Sequence, residues 1–302
     1  MLVYVTGASG FVGRKLLPRL EAAGMTAIGI DTDVDVTDAE AVSSSLHRHR
    51  PDAIIHLAAM SSVTQSAAEP ERCYQINFGG TRTILRSARH VCPNARILLA
   101  GSTDQYAATS SNETGGPAAF PETTPLEPRS PYARTKAASE MLGQEAAIAG
   151  QDVVRIRASN HTGRGQPDRF VVSSFARQVA AIHAGRQEPL MRVGNLDSVR
   201  DFLHVDDVLD AYITLLDTSI PADVYNVASG NALPIKDILD RLIRIAGIDP
   251  AVEVDPDRWR PTDWCVADAS KLRSLSNWAP KISLDALLEE LFEDWLAQDA
   301  VA

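Results

Sequence analysis

Tyr132 and Lys136, in the stretch SPYARTK, stand four residues apart, so on a helix both side chains leave one face. A phenol with its ordinary pKa of ~10 is a poor proton donor at neutral pH. An ammonium held beside it stabilises the phenolate and draws that pKa down, which makes Tyr132 an acid toward a carbonyl oxygen. Ser102, at the end of the apolar run RILLAGS, is placed to donate a hydrogen bond to the same oxygen, or simply to close a strand in a turn.

A second group of residues has the spacing of a phosphate cradle. TGASGFVG at 6–13 puts Gly7, Gly10 and Gly13 three apart, directly after an apolar run and before an amphipathic one. Glycines there let the backbone turn tightly and approach a pyrophosphate, which free N–H groups at a helix N-terminus then meet, those of Phe11 and Val12 included. A plain tight turn is the other reading of the same glycines. Asp31 follows ~20 residues on, where a carboxylate accepts both ribose hydroxyls of an adenosine. Thr32 and Asp33 come next, and no cation, so a 2′-phosphate would be repelled; this favours NAD(H), with NADP(H) as the second option. Asp35 and Val36 are placed to approach the adenine edge, although a helix N-cap explains Thr37 or Asp38 equally well.

These groups need a scaffold that brings strand ends together. Leu2 to Thr6, Thr26 to Asp31, Ala53 to Leu57, Ala95 to Ala100 and Val153 to Arg157 read as strands, two of them apolar without alternation, as buried parallel strands are. Phe11 to Ala23, Ala39 to Arg50, Glu71 to His90 and Ser130 to Ala149 read as crossing helices. The alternation predicts an α/β fold, a Rossmann-type doubly wound parallel sheet over residues 1–158. Past Ser159 the rhythm breaks into a smaller lobe, 159–302, with elements near 196–228 returning to the first. In it we expect a helix near Phe170 to Ala184, a strand pair around Leu190 to Phe202, helices near Asp206 to Asp217 and Pro234 to Ala246, and a final helix that Ser283 caps. The polar, proline-rich stretch from Ala107 to Arg129 reads as a lid or a disordered loop.

Composition narrows the partners. The 302 residues carry a net charge of −10, which repels nucleic acid and anionic lipid, so a phosphate-bearing ligand must be small and met by local donors. Three cysteines without CxxC spacing point to a reducing compartment and to buried thiols. With no apolar run of membrane length and no basic leader, the expected location is cytoplasmic, with no membrane partner. His161 and His204 lack metal-like partners at suitable spacing, so no metal site is expected.

TGxxGxxG, Asp31, HLAA at 56–59 (Leu57, Ala58 and Ala59 with His56), Asn77 in NFGGT, Ser102 and YxxxK together resemble the extended short-chain dehydrogenases/reductases that act on nucleotide sugars, over nearly the whole chain. RASNHTGRGQ at 157–166, Phe170 with Val171, VGNLDSVRDFLHVDD at 193–207 and RPTD at 260–263 are similar to the reductases of GDP-4-keto-6-deoxy-mannose, which make GDP-rhamnose. The resemblance implies hydride delivery to C4 of a keto sugar, Tyr132 protonating the oxygen, Lys136 on the nicotinamide ribose and Ser102 polarising the carbonyl. It also implies a cofactor contact from Leu57 to Ala59, and sugar-nucleotide contacts from Thr103, Asn160, Phe170, Val171, Arg200 and Arg260. In so acidic a chain, two guanidiniums suit a diphosphate, with surface ion pairing as the alternative. A homodimer through helices 71–90 and 130–149 is implied as well.

The scaffold also hosts 4,6-dehydratases and 4-epimerases. A dehydratase would use Asp104 beside Thr103 as its acid–base group, one methylene shorter than the usual Glu. A non-catalytic NAD(P) sensor would have no need of the Tyr/Lys pair. Two departures from the family pattern are Arg164 after Gly163, where Pro is common, and Ala107 after Tyr106, where Gly is usual.

Overall fold

A computed structural model describes residues 1–106, 118–259 and 263–298. In chain order the elements are β1 (Leu2–Thr6), α1 (Phe11–Ala22), β2 (Thr26–Ile30), α2 (Ala39–His49), β3 (Ala53–His56), α3 (Val63–Ala68) and α4 (Pro70–Tyr74). A π turn over Gln75–Gly79 leads into α5 (Gly80–Val91), then β4 (Arg96–Ser102), a 3₁₀ turn at Thr103–Gln105, α6 (Pro131–Ile148), β5 (Val153–Ala158), β6 (Asn160–Thr162) and α7 (Val171–His183). The rest is β7 (Leu190–Val193), β8 (Val199–Arg200), β9 (Phe202–His204), α8 (Val205–Leu215), β10 (Val224–Val227), β11 (Leu233–Pro234), α9 (Ile235–Ala246), β12 (Ala251–Val254), β13 (Trp264–Cys265), α10 (Ser270–Leu275) and α11 (Leu284–Gln298).

Six strands form one sheet, all parallel, in the order β2-β1-β3-β4-β5-β10. The order reverses beside β1, so a crevice opens at the carboxyl ends of β1 and β3, where open α/β sheets bind ligands. The expected Rossmann-type doubly wound sheet is therefore present. Its apolar runs are buried on both faces for a reason visible residue by residue: Val3, Val5, Ile55 and Leu98 face α1 and α8, while Tyr4, Ile54, Ile97 and Leu99 face α2, α5 and α6. A separate cluster joins α7, β7, α9 and α11 through Phe175, Met191, Leu239 and Leu288. Ser283 caps α11, its Oγ accepting the Ala286 N–H at 3.2 Å.

Three expectations change. The helix over 71–90 runs without interruption but widens at 75–79, where a π turn inserts an extra residue, as such bulges do at functional sites, and Asn77 is buried. The strand pair near 190–202 does not pair with itself: β7 lies parallel to β12, β8 between β11 and β13, and β9 beside β6. Period-2 apolar patterning marks strands but carries no information about which strand each will meet. Of the 107–129 stretch, Leu126 bridges Tyr106 and Phe120 bridges Ala267, so its second half is bound to the body rather than loose; Ala107 and the Ser110 to Pro117 stretch lie outside the described residues.

One polar cluster inside the fold bears directly on the site. Arg157 of β5 grips Glu140 of α6 through Nε at 2.8 Å and Nη2 at 2.5 Å, with side chains only 6% and 10% exposed. Arg157 also donates to the Tyr106 hydroxyl at 2.7 Å, which donates to Asn226 of β10 at 2.7 Å, and Gln105 donates to Glu140 at 2.8 Å. Desolvation works against the guanidinium, but Glu140 outweighs it and keeps Arg157 charged. Glu140→Gln leaves that charge without its counter-ion, so it should cost about 3–5 kcal/mol in denaturant unfolding.

Candidate active site

At the end of β1 the chain turns at Gly7, whose φ of +70° is the left-handed region that favours glycine. A Cβ there would sit 2.8 Å from the Ala58 nitrogen, and one at Gly13 only 2.4 Å from the Gly7 carbonyl oxygen. These glycines let β1, the β3 end and α1 close on one another, leaving backbone where side chains would otherwise stand. Gly10, the N-cap of α1, has no side chain to cap the helix. The first-turn N–H groups of Phe11, Val12 and Gly13 therefore have no acceptor within the helix and face the crevice end. The cradle fits a dinucleotide pyrophosphate.

Asp31 lies just past β2 and reaches back into this turn, accepting the Ser9 N–H at 2.6 Å and the Thr32 N–H at 2.9 Å. Desolvation raises its pKa, but these hydrogen bonds outweigh it and hold the carboxyl below its usual range, so it stays ionised. Leu57 and Ala58 continue from β3, donating their N–H groups to the Thr6 carbonyl at 3.3 Å and the Thr6 hydroxyl at 3.2 Å, with half-buried Ala59 next. Asp35 accepts both the N–H and the hydroxyl of Thr37 at 2.8 Å, Val36 packs on Gly80, and Asp38 is the residue that caps α2.

Tyr132 and Lys136 open α6, capped by Ser130 and started by Pro131. The helix presents Tyr132, Lys136 and Glu140 as one stripe toward β4 and β5, with Ser102 at the β4 end beside the phenol, its Oγ accepting the Asp104 N–H at 3.2 Å. Lys136 Nζ donates to the Ala100 carbonyl at 2.7 Å and stands 6.0 Å from the Tyr132 ring centre. Here the electrostatics differ from the sequence expectation. Burial pushes the Tyr132 phenol above its usual range, the Asp104 charge adds to that, and the Ser102 hydroxyl offsets only part. Lys136 does not draw it down, because the ammonium is turned to a backbone carbonyl and desolvation lowers its own pKa to about 8. The phenol is protonated at neutral pH, which is the form a proton donor requires.

Around the other side of Ser102, Thr103 is buried and Asp104 sits near Arg200 and Asp263. Desolvation raises the Asp104 pKa, Arg200 lowers it and Asp263 raises it, with a net upward shift. Arg200 is not free: it pairs with Asp263 at 2.6 Å and donates to the Val199 carbonyl at 3.0 Å. Asn160 begins β6 and donates to the Asp201 carbonyl at 3.4 Å. Phe170 is the N-cap of α7 without a side-chain cap, with the Arg169 guanidinium 5.2 Å over its ring, and Val171 is exposed beside it. Arg260 lies outside the described residues. His204 caps α8 and bonds Glu290 at 3.2 Å, and His161 bonds the Ser159 carbonyl at 2.9 Å; both are held structurally. Arg164, in the place of a common Pro, contacts α11 through its N–H to Glu290 and an ion pair of 3.8 Å to Asp294.

Two sets of contacts were not legible in the sequence, although Asn77 itself belongs to the NFGGT motif. Asn77 anchors the site from below, accepting the Met60 N–H at 2.8 Å and donating to Thr135 at 2.9 Å, while its carbonyl takes the Thr81 and Ser139 hydroxyls. The Asp263 partner of Arg200 comes from a residue distant in sequence, and no local pattern marks it.

The family model described as GDP-mannose 4,6 dehydratase matches residues 32–291. The chain belongs to that family, within the extended short-chain dehydrogenases/reductases. GDP-6-deoxy-D-mannose reductase of Pseudomonas aeruginosa is 35% identical over 300 residues, covering 97% of this chain and 96% of that protein. The structure of RMD from Pseudomonas aeruginosa complexed with NADPH matches with a TM-score of 0.89 at 32% identity, covering 98% of this chain and 99% of that one. UDP-glucose 4-epimerase of Thermus thermophilus, in complex with NAD, matches with a TM-score of 0.85 at 27% identity, covering 98% and 99%. Both nicotinamide cofactors thus occur among the family's structures.

Gly7→Ala tests the cradle directly. The added methyl meets Ala58 at 2.8 Å in a strained backbone, so NAD(H) affinity should fall at least about tenfold in a fluorescence titration, a cost of ~1.4 kcal/mol or more.

Proposed function

We propose that the chain is an NAD(P)H-dependent reductase of the C4 ketone of a nucleotide-linked 4-keto-6-deoxy sugar, converting GDP-4-keto-6-deoxy-D-mannose to GDP-D-rhamnose. The observation that carries it is a protonated Tyr132 phenol, beside Ser102 and one helical turn from Lys136, at the carboxyl end of a sheet whose glycine turn fits a dinucleotide. The reductase of Pseudomonas aeruginosa, similar over nearly the whole length, supports the substrate class.

The cofactor would be held by the N–H groups of the Gly7 to Gly13 turn, by Asp31 at the adenosine ribose, by Asp35 and Val36 near the adenine, by Leu57 to Ala59, and by Tyr132 with Lys136. When bound, its nicotinamide supplies the hydride that reduces C4. Tyr132 gives its proton to the ketone oxygen as that charge develops, Ser102 donates a hydrogen bond to the same oxygen, and Lys136 holds the nicotinamide ribose. The carboxylates of Asp31 and Asp33 favour NAD(H), with NADP(H) as the alternative. Arg200 and Arg260 would meet the diphosphate, Arg200 exchanging its Asp263 partner for the ligand, and Thr103, Asn160, Phe170 and Val171 would line the sugar nucleotide. We propose a cofactor domain over 1–158 and a sugar-nucleotide lobe over 159–302.

Asp104, beside Ser102 and with its pKa raised chiefly by desolvation, favours a second reading as a 4,6-dehydratase, in which it would be the acid–base group. A reductase consumes NAD(P)H stoichiometrically with keto sugar, whereas a dehydratase or epimerase leaves the nicotinamide absorbance unchanged. The exposed Met141 and Ile148 of α6, with Tyr74 of α4, support a homodimer across these helices. No helix among the described residues is long and apolar enough to cross a membrane; the acidic charge supports a cytoplasmic protein without nucleic-acid partners.

Tyr132→Phe should lower kcat by at least about 10²-fold while the NADH Kd stays near wild type. Unchanged turnover refutes the acid role. Arg200→Ala should raise KM for the GDP-sugar about tenfold or more with kcat largely kept, as expected when a charge partner of the ground state is lost.

A further inference from the structure

Beneath Lys136, on the side away from the crevice, a small cavity is enclosed by β3, β4, β5, α5 and α6. Its lining includes His56, Thr81, Lys136, Ser139, Glu140 and Arg155, and it offers ≈ 10 Å³ for the centre of a water molecule. That is about the space of one water, and a water needs two to four polar partners to reside there.

The wall supplies them. His56 is only 4% exposed, its Nδ1 is engaged with the Thr6 hydroxyl at 2.8 Å, and its Nε2 is buried without a partner among the described residues. Arg155 pairs with Asp223 through Nη2 at 3.1 Å, yet its Nε is buried without a partner as well. Two orphaned polar atoms on residues of one cavity are costly, at about 1–3 kcal/mol each, unless something in the cavity satisfies them. Lys136 uses one N–H on the Ala100 carbonyl, which leaves two others. The Thr81 and Ser139 hydroxyls both donate to the Asn77 carbonyl, so their lone pairs remain to accept.

We propose that this cavity is a buried water site, and that His56 is a positioning residue which, through that water, holds the inner side of the Lys136 ammonium. With the imidazole proton on Nδ1, donated to the Thr6 hydroxyl, the water donates to Nε2 and accepts from Arg155 Nε and Lys136 Nζ. Burial and the neighbouring Lys136 charge bring the His56 pKa down to about 3, so the ring is neutral and adds no second cation to the pocket. The imidazole thus supports Lys136 without repelling it. A direct partner such as a carboxylate would instead pin the ammonium inward, away from the crevice.

The role of His56 rests on the reductase reading, because Lys136 must matter to turnover, whereas the water site does not. A crystal structure of the wild-type chain at high resolution should show one ordered water within hydrogen-bond distance of both His56 Nε2 and Lys136 Nζ; a cavity without such density overturns the proposal. Keto-sugar reduction is then compared in wild type, His56→Leu and His56→Gln, the last keeping an amide where Nε2 lies. His56→Leu should lower kcat about tenfold, the worth of one unsatisfied buried group, with both KM values within about twofold, and His56→Gln should recover most of it. Equal kcat for His56→Leu and wild type overturns the positioning role. So does a loss in His56→Leu that His56→Gln leaves unrepaired while its thermal midpoint matches wild type. If wild type itself fails to oxidise NAD(P)H with keto sugar, the reductase reading falls and the positioning role with it, while the crystal still decides the water.

Discussion

The buried pair of Arg157 and Glu140 ties three elements into one rigid unit. Glu140 lies on the α6 stripe that carries Tyr132 and Lys136, and Arg157 lies on β5 beside the strand that ends in Ser102. Two charges removed from water demand good geometry and full hydrogen bonding, and Tyr106, Gln105 and the Glu122 carbonyl supply it. The angular position of α6 against the sheet is therefore set by groups that cannot slip without leaving a charge unpaired. The phenol at the head of that helix inherits its placement.

Charge at the site is arranged to keep one proton available. The phenol is protonated because burial and Asp104 both disfavour its anion, and Lys136 is softened toward neutrality by the same desolvation. Both groups are pushed toward their neutral forms, so the phenol carries its proton at neutral pH while being a weaker acid than a free phenol. Arg200 is held differently, in an ion pair with Asp263 at 2.6 Å.

The backbone contributes through what it lacks. Gly7 and Gly13 remove side chains where strand, turn and helix come within van der Waals distance, and the uncapped α1 start leaves donors for an anion. The π turn at 75–79 does the converse, adding a residue to the helix where Asn77 is buried and its side chain fastens the chain after β3 to α6. Both devices trade local regularity for close approach at the crevice.

Local patterns were enough for five of the six sheet strands, β10 being the one not read, and for the crossing helices, the glycine turn and the Tyr132/Lys136 pair, because each depends on neighbours within about one turn or one strand. Periodicity reports burial, glycine reports backbone freedom, and a four-residue spacing reports a shared helix face. Other features arise from residues far apart in the chain, so no window of sequence contains them: the partners of β7, β8 and β9, the Asp263 grip on Arg200, and the joining of Arg157 to Tyr106 and Asn226. The sign of the Tyr132 shift belongs with these. The spacing of a phenol and an ammonium suggests a lowered pKa, but desolvation is a property of everything packed around the pair, and only the folded chain decides how much of it there is.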